Sequence, residues 1–204
     1  MQINIDKKTG AFVAIIVVLL ATIVGISIDR NNNDGHLGMH GNGSMNMHNN
    51  SGKSGYTGAD VMFLQMMIPH HQQAIDISNI ALKTSKDAEL LALATTIIKA
   101  QTEEIEQMET WLKEAGASKV MGHSMDGMGG MLDAAELSSL SAATGKSFDL
   151  LWLKGMIAHH DGAIHMTTMI EDAENAEIKA FGEKIVKNQS AEIAQMNAML
   201  KRIG

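Results

Sequence analysis

The side chains able to do chemistry fall in a few short clusters. The chain carries nine histidines and 17 methionines but no cysteine. Disulfides, zinc-thiolate centres and thiol catalysis are therefore excluded, and soft-metal chemistry must come from thioether sulfur. Two histidine pairs are the sharpest feature, His70 with His71 and His159 with His160. Met67 precedes the first pair by three and four residues, and Met156 precedes the second by the same steps. On a helix such spacings share one surface, so each motif brings a thioether and two imidazoles together locally. Imidazole with thioether suits copper, above all Cu(I), whereas carboxylate-rich sets suit iron, manganese or magnesium. Iron and zinc are accordingly the less suited metals. His165, with Met166 beside it and Met169 a turn on, adds a further set where the first motif has Asp76.

Two glycine-rich stretches carry the same donors. One holds His36, Met39, His40, Met45, Met47 and His48, and the other, VMGHSMDGMGGM, holds Met121, His123, Met125, Met128 and Met131. Methionine on such a chain contributes nothing to a core, so these strings read as flexible copper-wrapping segments that add capacity.

The elements that must position the histidine pairs are duplicated. FLQMMIPHHQQAIDIS at 63–78 aligns with WLKGMIAHHDGAIHMT at 152–167, an offset of 89, and IKAQTEEIEQM at 98–108 aligns with VKNQSAEIAQM at 186–196, an offset of 88. Each half is then the same supersecondary unit. Within the repeat, Pro69 stands opposite Ala158, and Gln72 and Gln73 stand opposite Asp161 and Gly162.

Apolar residues recur at helical spacing, as in Ile68, Ile75, Ala81 and Leu82 and then Leu90, Leu91, Leu93, Ala94, Ile97, Ile98, Ile105, Met108 and Leu112. The aromatic content of 3% and the single proline argue against a β architecture. The chain is therefore expected to be all-α, an antiparallel four-helix bundle made of two helical hairpins, 59–84 with 87–115 and 147–173 with 176–203. Gly116 and Gly204 stand at C-cap positions, and a short extra helix is expected near 132–144. Pro69 is expected to kink the first helix or to start a new segment. Reflecting each hairpin about its turn puts His70 level with Gln101, Met67 with Glu104, His160 with Gln189 and Met156 close to Glu192, with Met108 or Met196 one turn away. The candidate metal set within the bundle is thus Met67, His70, His71, Glu104 and Met108, with Met156, His159, His160, Glu192 and Met196, and with His165 and Met169 beside it.

Residues 11–28 are 18 positions without a charge, about 27 Å of helix and enough to span a bilayer. Lys7 and Lys8 before the run keep the N-terminus cytoplasmic and place the rest outside. An uncleaved anchor over 1–30 is favoured, and a signal cleaved near Gly25 and Ser27 is the alternative. The organisation that follows is a linker over 31–58 and a helical domain over 59–204, with repeats 59–116 and 147–204 joined by a methionine-rich connector, 117–146. A net charge of -7 without a basic run offers nothing for neutralising phosphates, so nucleic acid is excluded as a partner.

The blocks MIPHHQQAI and FDLLWLKGMIAHHDGAIHM, with the later QSAEIAQM, resemble the domain of unknown function family 305, over about residues 59–204. This is a ferritin-like helical family found in exported bacterial proteins. Some members resemble periplasmic copper-binding proteins linked to copper resistance, which implies storage or hand-over of metal at Met67, His70, His71, Met156, His159 and His160. The expected function is extracytoplasmic copper binding, with copper-delivery proteins and a homo-oligomer as compatible partners. Two rivals stand beside it, a ferritin-like di-metal oxidoreductase and a helical scaffold or signalling ectodomain without metal. Against the first, no Glu-x-x-His occurs in either repeat, and only Glu104 and Glu192 supply carboxylates at the right height. Against the second, the exposed methionine strings would have no role.

Overall fold

The computed structural model describes residues 55–120 and 129–204. Within them the chain forms five α-helices and no strand: α1 Gly58–Thr84, α2 Ala88–Glu114, α3 Ala134–Ala142, α4 Gly145–Met166 and α5 Ala176–Ile203. A 3-10 turn, Thr167–Ile170, follows α4. The apolar run 11–28, the tail donors His36, Met39, His40, Met45, Met47 and His48, and the connector donors Met121, His123, Met125 and Met128 lie outside the described residues. Among the described residues no helix is long and apolar enough to cross a membrane.

The helix ends follow from local chemistry. Thr57 and Asp60 form a capping box at the start of α1, and Asp133 and Glu136 form another at α3. Asp87 and Asn175, equivalent positions of the two repeats, cap α2 and α5. Gly116, at φ +67, ends α2 with bonds from its own N–H to Lys113 and from Ala117 to Leu112, the Schellman pattern that favours glycine there. The expected helix over 147–173 tightens instead after Met166. Thr167 and Thr168 donate their hydroxyls three residues back, to the Ile164 and His165 carbonyls, and this back-bonding competes with the α-helical ladder.

Pro69 does not divide the first helix, which runs unbroken from Gly58 to Thr84. The nearby Met67 and His70 are both fully buried, and their packing offsets the one lost backbone bond. The buried face of α1 also differs from the expected stripe. It runs through Phe63, Leu64, Met67, His70, His71, Ala74, Ile77 and Ala81, whereas Ile68 and Ile75 are only partly buried and Leu82 is 41% exposed. Histidine occupies the centre of the inward face, so a count of apolar residues alone selects a neighbouring stripe. On α2, Leu91, Ile98 and Ile105 of the expected stripe are only partly buried.

The helices pack as two hairpins, α1 with α2 and α4 with α5, joined face to face chiefly through α1 and α4. Trp152 Nε1 donates to the Ile77 carbonyl at 3.2 Å, and the His159 ring lies against His70. Residue numbers fall along α4 as they rise along α1, so the two are antiparallel. Arg202 on α5 reaches both oxygens of Asp87 at the start of α2, at 2.8 and 2.9 Å.

Two apolar clusters fill the interior. One gathers Ile77, Leu90, Leu93, Ile97, Trp152 and Met156 with Met196, and the other gathers Phe63, Leu64, Met67, Met108, Trp111 and Phe181. Each fully buried side chain of this size contributes about 1.5–3 kcal/mol. Every long helix crosses from one cluster to the other, and at each crossing it carries polar residues: His70 and His71, Gln101 and Glu104, His159 and His160, Gln189 and Glu192.

Candidate metal centre

The crossing points form a buried polar layer between two apolar cores. All four imidazoles are fully buried, and Gln101, Glu104 and Gln189 are buried with them. His70 and His159 meet at the centre, ring centroids 3.8 Å apart and tilted by 40°. His71 and His160 lie outward of them, each on a carboxylate of its own hairpin. His71 Nε2 donates to Glu104 Oε2 at 2.9 Å, and His160 Nε2 donates to Glu192 Oε2 at 2.8 Å. Reflection about the hairpin turns sets these carboxylates opposite Met67 and Met156; each reaches back about one turn to the second histidine of its pair instead.

A ring that donates from Nε2 keeps its lone pair on Nδ1. Both of these nitrogens, on His71 and His160, are buried without a partner in the protein. The same holds for both ring nitrogens of His70 and His159 and for both side-chain polar atoms of Gln101 and Gln189. Ten of the twelve unpartnered buried side-chain atoms among the described residues thus belong to this one layer. Each such atom costs about 1–3 kcal/mol, so the concentration marks a place built to present donors rather than to stabilise the fold.

The electrostatics agree. Burial pushes the His70 imidazole down to about 3 from its ordinary 6.5, and the neighbouring His71 lowers it further, against a small opposing effect of the Gly129 backbone. His159 is held well below the ordinary value, first by burial and then by His70 and His160. Both rings stay neutral at physiological pH and offer nitrogen lone pairs without competition from protons. Burial alone would raise the Glu104 carboxyl, but the hydrogen bond and charge of His71, together with Lys184, bring it below the ordinary value. It therefore remains an acceptor that orients His71.

Among the described residues no group of three His, Asp or Glu side chains is arranged to hold one ion. A complete ligand set must draw on another donor, and the buried thioethers Met67 and Met156 flank the layer on its two sides. Met108 and Met196 are buried in the same clusters. The structure does not bring His165 into the layer: its side chain is exposed and Met169 is only partly buried. Met131, the last methionine of the connector, is partly buried.

Two features go beyond what the sequence suggests. The first is a strap, Gly129–Leu132, laid across the two histidine motifs. Gln73 grips it at both ends of its amide, donating to the Leu132 carbonyl at 2.9 Å and accepting from the Leu132 N–H at 2.8 Å. On the other side Gly162 lies so close that a methyl group there would collide with the Gly129 carbonyl. Gln73 and Gly162 are equivalent positions of the repeat, so that departure in sequence is the signal that could have located the strap. The second feature is Lys184, whose Nζ lies 3.3 Å from Glu104 Oε1.

The model of the family described as Domain of unknown function (DUF305) matches residues 60–200. The crystal structure of a DUF305 protein from Streptomyces coelicolor superposes with a TM-score of 0.67 at 32% identity, covering 72% of this chain and 92% of that one. A DUF305 fragment from Deinococcus radiodurans gives 0.67 at 34% identity, covering 72% and 97%. CopM in its Cu(I)-bound form gives 0.60 at 34% identity, covering 70% and 96%; CopM has also been solved with Cu(II) and with Ag. A stretch of 55 residues is 42% identical to an uncharacterized protein of Acanthamoeba polyphaga mimivirus, a match spanning 27% of this chain and 36% of that protein's length.

Proposed function

The chain belongs to the DUF305 family, and on that premise we propose that it binds copper, as Cu(I), in the buried imidazole layer, and sequesters, stores or hands on the ion. The observation that carries this reading is the layer itself: four buried imidazoles, six of their eight ring nitrogens unpartnered, between clusters that contribute Met67 and Met156. Neutral imidazole and thioether form the donor set that copper prefers over iron or zinc. The bound forms of CopM, which shares 34% identity with this chain, support the same chemistry.

In this reading His70, His71, His159, His160, Met67 and Met156 supply the donors. Glu104 and Glu192 act one step out, fixing the tautomer of His71 and His160 and raising the basicity of Nδ1. Met108 and Met196 keep the walls soft and apolar. The four long helices are a ferritin-like bundle, and residues 59–204 form the copper-binding domain. Residues 1–30 anchor it on the outer side of a membrane, and 31–58 is the linker. The donors of the tail and of the connector, from His36 to His48 and from Met121 to Met131, add capacity, whereas the preformed site between the helices sets the tightest affinity because it avoids an ordering cost on binding.

Metal analysis of the purified chain, followed by competition for Cu(I) with a chromogenic chelator, tests the proposal. Retention of the tightest copper after joint replacement of Met39, Met45, Met47, Met121, Met125, Met128 and Met131 is the expected result. Loss of that copper with the strings would make the helical domain only a scaffold.

A further inference from the structure

The two ends of the imidazole layer differ in one charge. Building on the copper-binding reading above, we propose that Lys184 sets the order in which the two ends load. It makes the His71–Glu104 end weaker and later than the His160–Glu192 end.

Glu104 is 5% exposed and has two partners, His71 at 2.9 Å and Lys184 at 3.3 Å. Glu192, its repeat equivalent, is 17% exposed and pairs with His160, at 2.8 Å. No lysine or arginine lies within ion-pair distance of Glu192 among the described residues. The offset of 88 that relates Glu104 to Glu192 relates Thr96 to Lys184. Thr96 is exposed, and its hydroxyl is turned back on the Ala92 carbonyl at 3.1 Å. The repeat therefore has a cation at one end of the layer and a neutral side chain at the other.

Lys184 also lines the surface beside Glu104. It lines a groove of about 380 Å³ with Glu103, Glu104, Glu177, Trp111 and Phe181. The acidic side chains draw a cation toward this groove, where it meets the lysine ammonium already seated on Glu104, the groove carboxylate that reaches the layer. Two effects then oppose metal at His71. The fixed positive charge repels the incoming ion, and neutralising Glu104 weakens its hold on the His71 Nε2 proton, so Nδ1 becomes a poorer donor. Lys184 is 55% exposed, so solvent screens it. The expected difference between the two ends is about two- to fivefold, the range of half-exposed charge pairs.

The test is a titration of the full chain, labelled with ¹⁵N in histidine, with Ag(I), which binds as Cu(I) does but does not change oxidation state. The ring nitrogens of His71 and His160 are followed separately, assigned from the His71→Gln and His160→Gln spectra. In the parent chain His160 should saturate first, at a silver level about two- to fivefold below His71. Lys184→Thr, which installs the residue of the equivalent position, should close the gap. Thr96→Lys on the exposed face of α2 should delay His160 by the same factor. Equal saturation in the parent chain, or a gap unchanged by Lys184→Thr, overturns the role of Lys184 while leaving metal binding intact. If neither histidine responds to Ag(I), the metal-binding reading falls and this inference falls with it.

Discussion

Acidification of the metal-free protein should unfold it far more steeply than its surface charge would suggest. The His70 imidazole is held at about 3 in the folded state, mainly by burial, against an ordinary value of 6.5. Below pH 6.5 the unfolded chain therefore binds a proton that the folded chain refuses. Stability must fall as the pH drops, by about 1.4 kcal/mol per unit for each such histidine. The effect is absent above about pH 6.5 and complete only near pH 3, when it totals about 5 kcal/mol for His70 alone. His159 is shifted in the same direction, so the pair costs about 2.8 kcal/mol per unit through the upper part of that window. Glu104, whose carboxyl is held below its ordinary value, adds a further loss once the pH passes below about 4.5. For a domain at the lower end of the usual stability of about 5–15 kcal/mol, the midpoint of acid unfolding should lie near pH 4–5. Denaturant melts of the metal-free chain, followed by far-ultraviolet circular dichroism between pH 7.5 and 4, measure the slope directly. His70→Gln removes one titrating group and should lower that slope by about half. A stability that stays flat from pH 7 to 5 would show that the rings are not buried as neutral bases, and the argument for ready nitrogen donors would fail with it.

Changing Met67 and Met156 together to leucine keeps volume and apolarity, so the stability loss should stay below about 1.5 kcal/mol. Affinity for Cu(I) or Ag(I), read by chelator competition, should nevertheless drop far more than affinity for Zn(II); equal losses for both metals would remove the thioethers from the ligand set. Glu104→Gln and Glu192→Gln should each weaken copper by about ten- to a hundredfold while leaving the helical content intact, the usual effect of losing a carboxylate behind a ligating histidine. Full affinity in both variants would show that these carboxylates do not tune the imidazoles. Gly162→Ala forces a methyl group into the Gly129 backbone and should destabilise the metal-free domain by about 1–3 kcal/mol, a fall of several degrees in Tm by calorimetry. An unchanged Tm would mean that the strap is not fixed against α4.

Much of this arrangement is legible in the amino-acid order because it is written there twice. The all-α class, the hairpin boundaries near residues 84–88 and 173–176, and the placing of Glu104 and Glu192 beside the histidine motifs follow from the duplicated blocks. Where sequence and structure part, the reasons are physical. The inward stripe of α1 is not the one through Ile68, Ile75 and Leu82, because its centre is made of histidine, which hydropathy counts as polar although both rings are fully buried. Pro69 reads as a break because the cost of a lost backbone bond is local, whereas the packing of Met67 and His70 that offsets it is tertiary. His165 reads as a ligand by type, but its phase on α4 points it to solvent.

The departures from the repeat carry as much information as the repeat. Two identical hairpins packed face to face would present identical ends and leave the histidine motifs open alike. Here Gln73 and Gly162, which diverge, both touch the connector, which lies outside the duplication. Gln73 is a two-point grip on Leu132, and its equivalent Gly162 is the gap into which the Gly129 carbonyl fits. Neither feature works alone: a glutamine at 162 would expel the strap, and a glycine at 73 would release it. Lys184 and Thr96 diverge within the duplication itself, one seated on a layer carboxylate of the other hairpin and the other turned back on its own helix. The histidine pairs, Met67 with Met156 and Glu104 with Glu192 stay matched across the repeats, as the proposed copper site requires of two halves that build one shared layer. Gln73 and Gly162 differ because a single connector can cross that layer in only one way.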